Sequence, residues 1–301
     1  MAVSDSAAYG MISVGGSAGV GVLDLTNGSL RRIAALPAGN GGLGGAAASG
    51  PWLVWQQFDS QNTSAVWSVH SWNRETGRTA LVATSALPGG HHLAGAPPMP
   101  VVWDGKAAWP QPVGATGPPV VHLQATDLAS GRTWILDTGL ISSPVLAGNY
   151  LVWGKVTAGH FGLRAVNART LAPAAVPGLP GNPGSIGYLA GSPEYLAWSN
   201  QDGTTVTVLR FATSRTKTFV AADGRHHFQF LQLAGHYLLW YSGITSAVLD
   251  LSSGAGFDAA GSLAGDDTWL VWSQDTRASA AQARISAMLT AGVPRIPSCP
   301  A

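Results

Sequence analysis

Charge is the scarcest property of this sequence. Only 10% of the residues are Asp, Glu, Lys or Arg, against roughly a quarter in an ordinary globular chain. The signs nearly cancel, 16 basic against 15 acidic, for a net charge of +1. Arg31-Arg32 is the one adjacent basic pair, so the electrostatic footprint of a nucleic-acid or anionic-membrane binder is missing. Cysteine is almost absent: Cys299 stands alone in a Pro-rich tail and excludes an internal disulfide. That usage fits the cytosol, or a bacterial exported protein built without bridges. Long apolar runs are lacking too. Residues 33–58 carry no charge, but Pro37, Pro51 and many Gly interrupt them, and a membrane helix needs about 20 mostly apolar residues. The start, Met1–Gly10, has neither the basic region nor the apolar region of an export signal. The Ala/Gly/Pro-rich composition nevertheless suggests a GC-rich bacterial source, and a bacterial extracellular or periplasmic location is expected over a cytoplasmic one. Disorder is excluded, because 46% of the residues are hydrophobic and 12 are Trp, enough for a large core.

What is present is a repeat. A short apolar run ending in Trp recurs as Trp52–Trp55, Ala107–Trp109, Leu151–Trp153, Leu196–Trp198, Leu238–Trp240 and Leu270–Trp272, with a degenerate first copy at Met11–Val14. These copies divide the 301 residues into units of about 43. Each Trp run follows a small-residue segment, such as Gly44–Ser49, Val145–Gly148, Ile186–Gly191 or Leu231–Gly235. It precedes a second apolar run, a turn signal ending in Gly (Gly28, Gly77, Gly131, Gly254) and a third run. Four short strands per unit at this period predict an all-β chain forming a single β-propeller of about seven four-stranded blades. The Trp runs do not alternate apolar with polar, as expected when both faces of a blade are covered by its neighbours. A sandwich would alternate more cleanly, and a parallel β-helix would have a shorter period. The propeller is predicted over residues 1–296, with 297–301 as a short Pro-rich C-terminal tail.

The unit resembles the repeat of TolB-like propellers, described by YLVW…DLxTG. Asp24–Gly28, Asp127–Gly131 and Asp250–Gly254 carry the resemblance best, and it spans nearly the whole chain. These motifs specify turns and packing rather than chemistry, so the resemblance implies fold and not activity.

Propeller topology places the loops between second and third strands on one face with the inter-blade connections. These loops are predicted at 15–19, 56–64, 110–119, 155–162, 200–205, 242–246 and 274–282. They are irregular, whereas the opposite turns repeat, and function commonly sits on irregular loops held by a rigid scaffold. Two histidine pairs, His91-His92 and His226-His227, precede innermost strands on this face. Imidazole ligates divalent metals, so these pairs keep a divalent-metal site open; no cofactor is otherwise predicted. Asp59, Asp202 and Asp275, with His160 and Arg277 nearby, are candidates for ligand contact on the same face. Polar residues suited to turns are the plainer reading of all of them. Trp103 falls off the Trp register in an inner strand and is a candidate for lining or plugging the channel. Full burial of Trp103 would remove it from that role.

No nucleophile elbow, P-loop or zinc-protease motif occurs. The sequence therefore favours a non-catalytic propeller recognising a protein, peptide or glycan on its loop-rich face. The alternative is a polysaccharide-acting hydrolase or lyase at the channel mouth, which requires converging titratable groups.

Overall fold

A computed structural model describes residues 1–14, 17–36, 41–59, 66–87, 93, 99–113, 120–221, 227–241, 245–260, 262–266, 269–274 and 279–284. Among these residues there is strand and turn but no helix, and so no helix able to cross a membrane. The chain divides into two compact units, Met1–Pro144 and Val145–Ala301.

The first unit contains three sheets. Strands β1 (Ala2–Ser4), β2 (Ala7–Val14), β3 (Ser17–Asp24) and β4 (Leu30–Ala35) form one, so β1 pairs within its own sheet. Strands β5 (Gly42–Ser49), β6 (Trp52–Phe58), β7 (Trp67–Asn73) and β8 (Thr79–Thr84) form the next. Strands β9 (Val101–Trp103), β10 (Lys106–Pro112), β11 (Val121–Asp127) and β12 (Thr133–Ile141) follow in the same antiparallel order. The second unit opens with β13 (Val145–Ala147), β14 (Tyr150–Thr157) and β15 (His160–Asn167). Two four-stranded sheets follow: β16 (Leu189–Gly191), β17 (Tyr195–Ser199), β18 (Thr205–Arg210) and β19 (Arg215–Val220), then β20 (Gln229–Ala234), β21 (Tyr237–Tyr241), β22 (Thr245–Asp250) and β23 (Gly256–Ala260). Strands β24 (Ser262–Gly265), β25 (Trp269–Gln274) and β26 (Ser279–Arg284) come last. Up-and-down, four-stranded antiparallel sheets in succession are the propeller-like arrangement that the repeat predicts.

In three of the sheets the apolar run of the second strand is buried on both faces. Leu53, Val54 and Trp55, then Leu151, Val152 and Trp153, then Leu196, Ala197 and Trp198, are all at most 4% exposed. Neighbouring sheets cover each side: Leu53 and Trp55 pack with Tyr9 and Val20, while Val54 packs with Val102 and Trp109. Small residues let the first strands approach one another. At Gly191 a Cβ would collide with the Leu146 carbonyl of β13, so only glycine fits there.

One edge of the sheets is built from repeated turns. After β3, the Asp24 carboxylate accepts hydrogen bonds from the Thr26 N–H and hydroxyl, and Gly28 closes the turn with φ of 73°. Asp127 receives Ser130 in the same way before Gly131, and Asp250 receives Ser252 and Ser253 before Gly254. Asn73 and Asn167 play the same part after β7 and β15. The N–H of the next residue then donates to the carbonyl of the turn between first and second strands: Leu25 to Ser6, Arg74 to Pro51, Leu128 to Gly105, Ala168 to Asn149 and Leu251 to His236. The DLxxG signature is thus a local device, an Asx turn plus a left-handed glycine, that fastens two turns together.

On the opposite edge the strands run further than predicted. Gln56–Phe58 belong to β6 and Pro110–Pro112 to β10, while β3, β22 and β26 begin at Ser17, Thr245 and Ser279. The loop predicted at 155–162 is corrected to the two-residue turn Ala158-Gly159, both at positive φ (50° and 80°), with Thr157 paired to His160. Ladder hydrogen bonds are made by backbone, so strands continue through polar side chains where the apolar signal stops.

Candidate functional site

The richest cluster on the loop edge lies in the Val145–Ala301 unit. It begins with the Asn200–Thr205 connection, which is rigidly held. The Asn200 side chain accepts from the Thr205 N–H (3.0 Å) and donates to the Thr204 hydroxyl (2.9 Å). Gly203, at φ of 68°, lets the chain turn so that its carbonyl receives the Phe228 N–H at 2.7 Å. On the same segment, His227 Nδ1 donates to the Asp202 carbonyl at 2.6 Å. Two residues predicted from sequence, His227 and Asp202, are therefore brought together, but through the backbone oxygen of Asp202. The histidine pins one connection against the next strand entry.

Beyond this pin the chain does something unusual. Strand β20 is bulged between Gln229 and Gln232, and Phe230 sits in the bulge with φ of 48° and 62% of its surface exposed. Bulky residues rarely adopt that backbone, and a large aromatic there is oriented outward against its own preference. Its ring lies 5.1 Å from Tyr188 and 6.3 Å from Tyr241, centroid to centroid. Tyr188 is positioned by buried Ser199, whose hydroxyl accepts the Tyr188 N–H at 3.0 Å and whose backbone pairs with it. Below them, buried Phe228 packs on Trp240 at 5.2 Å. The result is an aromatic platform of tilted rings, Tyr188–Phe230–Tyr241, with Phe230 inclined 44° to Tyr188 and 58° to Tyr241.

Sequence reasoning missed all three platform residues. Its Trp search tracked the repeat, and none of the three is Trp. A signal existed in Phe228-Gln229-Phe230-Leu231-Gln232-Leu233, where adjacent Phe230 and Leu231 break the alternation and leave one aromatic beyond what a buried strand face takes.

The other predicted residues are dispersed. Asp59 is exposed and closes its own hairpin end, its carboxylate accepting the Val66 N–H at 2.9 Å. His160 is exposed at the tight turn into β15. Trp103 is 4% exposed in β9, which removes it as an open stacking surface. His91, His92, His226, Asp275 and Arg277 lie outside the described residues. Among the described residues, no three His, Cys, Asp or Glu side chains come together as a metal site would need.

One hydroxyl–imidazole pair occurs elsewhere. Ser68 Oγ and His70 Nε2 are 2.8 Å apart in β7, and burial lowers the His70 pKa. Its flat neighbour is Trp55, stacked at 5.3 Å, rather than an orienting carboxylate. That geometry reads as packing of a half-buried imidazole and not as an activated nucleophile.

No family model and no curated protein matches the chain. Solved structures do. The β-propeller domain of the Trilobed protease from Pyrococcus furiosus is 8% identical, with a TM-score of 0.58 over 94% of this chain and 93% of that one. An oligogalacturonate lyase from Vibrio parahaemolyticus is 11% identical, with a TM-score of 0.51 over 76% and 71%. These likenesses show the fold: the chain is a β-propeller. TolB from Acinetobacter baumannii also matches, at 9% identity and a TM-score of 0.45 over 81% and 61%.

Proposed function

We propose that this chain is a non-catalytic binding propeller and that its ligand docks on the Tyr188–Phe230–Tyr241 platform. The observation that carries this is Phe230, exposed and in a left-handed backbone within a strand. A chain that only had to pack would place glycine there, and strained outliers held by rigid surroundings concentrate where ligands bind. The platform offers flat aromatic faces edged by two phenol hydroxyls, with little charge. That chemistry suits an uncharged ligand with a flat apolar face, supplied by a pyranose ring or by an apolar side chain of a peptide. In this reading residues 1–296 form one ring of seven blades, residues 297–301 form a tail, and the protein works outside the bacterial cytoplasm.

A panel of neutral oligosaccharides and of apolar peptides, each titrated by calorimetry, separates the two ligand sources. Binding of members of one panel, lost in Phe230→Ala, supports the reading; undiminished binding by that variant overturns it. Incubation with polysaccharides, followed for release of new reducing or unsaturated ends, tests the enzymatic alternative, and turnover would favour it. Elemental analysis of the purified protein tests the histidine pairs as metal ligands.

A further inference from the structure

Three polar atoms in the Met1–Pro144 unit are sealed from solvent without a hydrogen-bond partner among the described residues: Gln56 Oε1, Gln56 Nε2 and Trp67 Nε1. Gln56 is 0% exposed and Trp67 1%. Their positions are related. In the β6–β7 ladder Gln56 stands opposite Val69 and Phe58 opposite Trp67. Directly paired residues and residues two apart share a face, so Gln56 and Trp67 are diagonal neighbours on one side of the sheet. The residues flanking them on that side, Val54 and Val69, pack against Val102, Ala107 and Trp109 of β9 and β10. The unpaired atoms therefore face the space between two sheets.

The amide is also held in place. Strand β5 is bulged between Leu43 and Gly45 opposite Gln56, and the Gln56 amide fills the place a Cβ would take at Gly44. A glycine and a bulge accommodate this side chain where an apolar one would have packed without them.

Buried polar groups in native proteins are nearly always paired, by protein or by ordered water. We infer that the space between these two sheets binds water, which links the Gln56 amide to the Trp67 indole. Water suits the set because it accepts from both N–H groups and donates to Oε1. An ion does not, since the amide presents a donor and an acceptor together and the indole a donor only. This water tethers β6 to β7.

Two measurements test the inference. A high-resolution crystal structure of the full chain should show water within hydrogen-bond distance of Trp67 Nε1 and of the Gln56 amide. Density placing both groups on protein partners overturns it. In solution, Gln56→Met and Trp67→Phe should each lower Tm, and the double variant should fall by less than the sum, because both lose the same bridge. Additive shifts, or a Tm raised by Gln56→Met, overturn it.

Discussion

Leu171 and Phe230 both hold a left-handed backbone, at φ of 60° and 48°, and they stand on opposite edges of the sheets. On the turn edge, Leu171 occupies the position filled by Gly28, Gly77, Gly131 and Gly254 in the other units. There the conformation belongs to the repeat, and leucine is a local departure from it. On the loop edge Ala158 also has a positive φ, but in a two-residue turn, whereas Phe230 lies inside a strand and turns a large ring to solvent. A left-handed residue that recurs at one place from sheet to sheet belongs to the architecture, whereas the strain at exposed Phe230 is what motivates the proposed site.

The sharpest way to break that comparison is Phe230→Gly. It removes the ring and relieves the backbone, so binding should weaken by about 2 kcal/mol or more, roughly 30-fold. Chemical denaturation should show unchanged or higher stability, since glycine adopts positive φ freely. A large loss of stability would make Phe230 a packing residue and sink the distinction. On the turn edge the sign reverses. The added Cβ of Gly254→Ala meets no neighbour within 4 Å, so its cost is backbone alone, about 1–2 kcal/mol in urea denaturation, with ligand binding intact.

Acid sharpens the picture of the turns. The Asp24 carboxyl is held below its usual range by the Thr26 hydroxyl and then by the Thr26 N–H. Asp127 is lowered by the Ser130 N–H and then its hydroxyl. For Asp250 burial pushes upward, and the bonds from Ser252 and Ser253 outweigh it. A carboxylate lowered on folding contributes stability that is complete above its unfolded pKa and is lost as pH falls through the folded value. The urea midpoint should thus decline below about pH 4. The triple variant Asp24→Asn, Asp127→Asn and Asp250→Asn keeps one acceptor oxygen in each turn and no titrating carboxyl, and should decline less steeply. Equal acid slopes would show that these turns do not bear on acid stability. The smallest effect is expected from Leu171→Gly. Release of the left-handed strain exceeds the added chain entropy, for a gain of about 0.5 kcal/mol.

Much of the fold was legible because its signals are local. The Asp24, Asp127 and Asp250 turns bond to residues two or three positions away, and the non-alternating runs at Leu53–Trp55 and Leu196–Trp198 report burial on two faces. Strand ends were not legible on the loop edge, since Gln56, Gln57 and Pro112 are in strand but look like loop. The site was legible only in region. His227 and Asp202 were found on the correct edge, yet their contact runs through a carbonyl that side-chain chemistry does not reveal.

The repeat, the all-β class and the Asx turns follow from the sequence alone, because each depends on neighbours in the chain. The tertiary structure alone decided that Phe230 stands in the open beside Tyr188 and Tyr241, residues 42 positions before it and 11 after it. It also decided that Gln56 and Trp67 lie on one side of the sheet with their polar atoms sealed from solvent. Register and bulges set both, and a one-residue change in strand pairing would move either side chain to the other face.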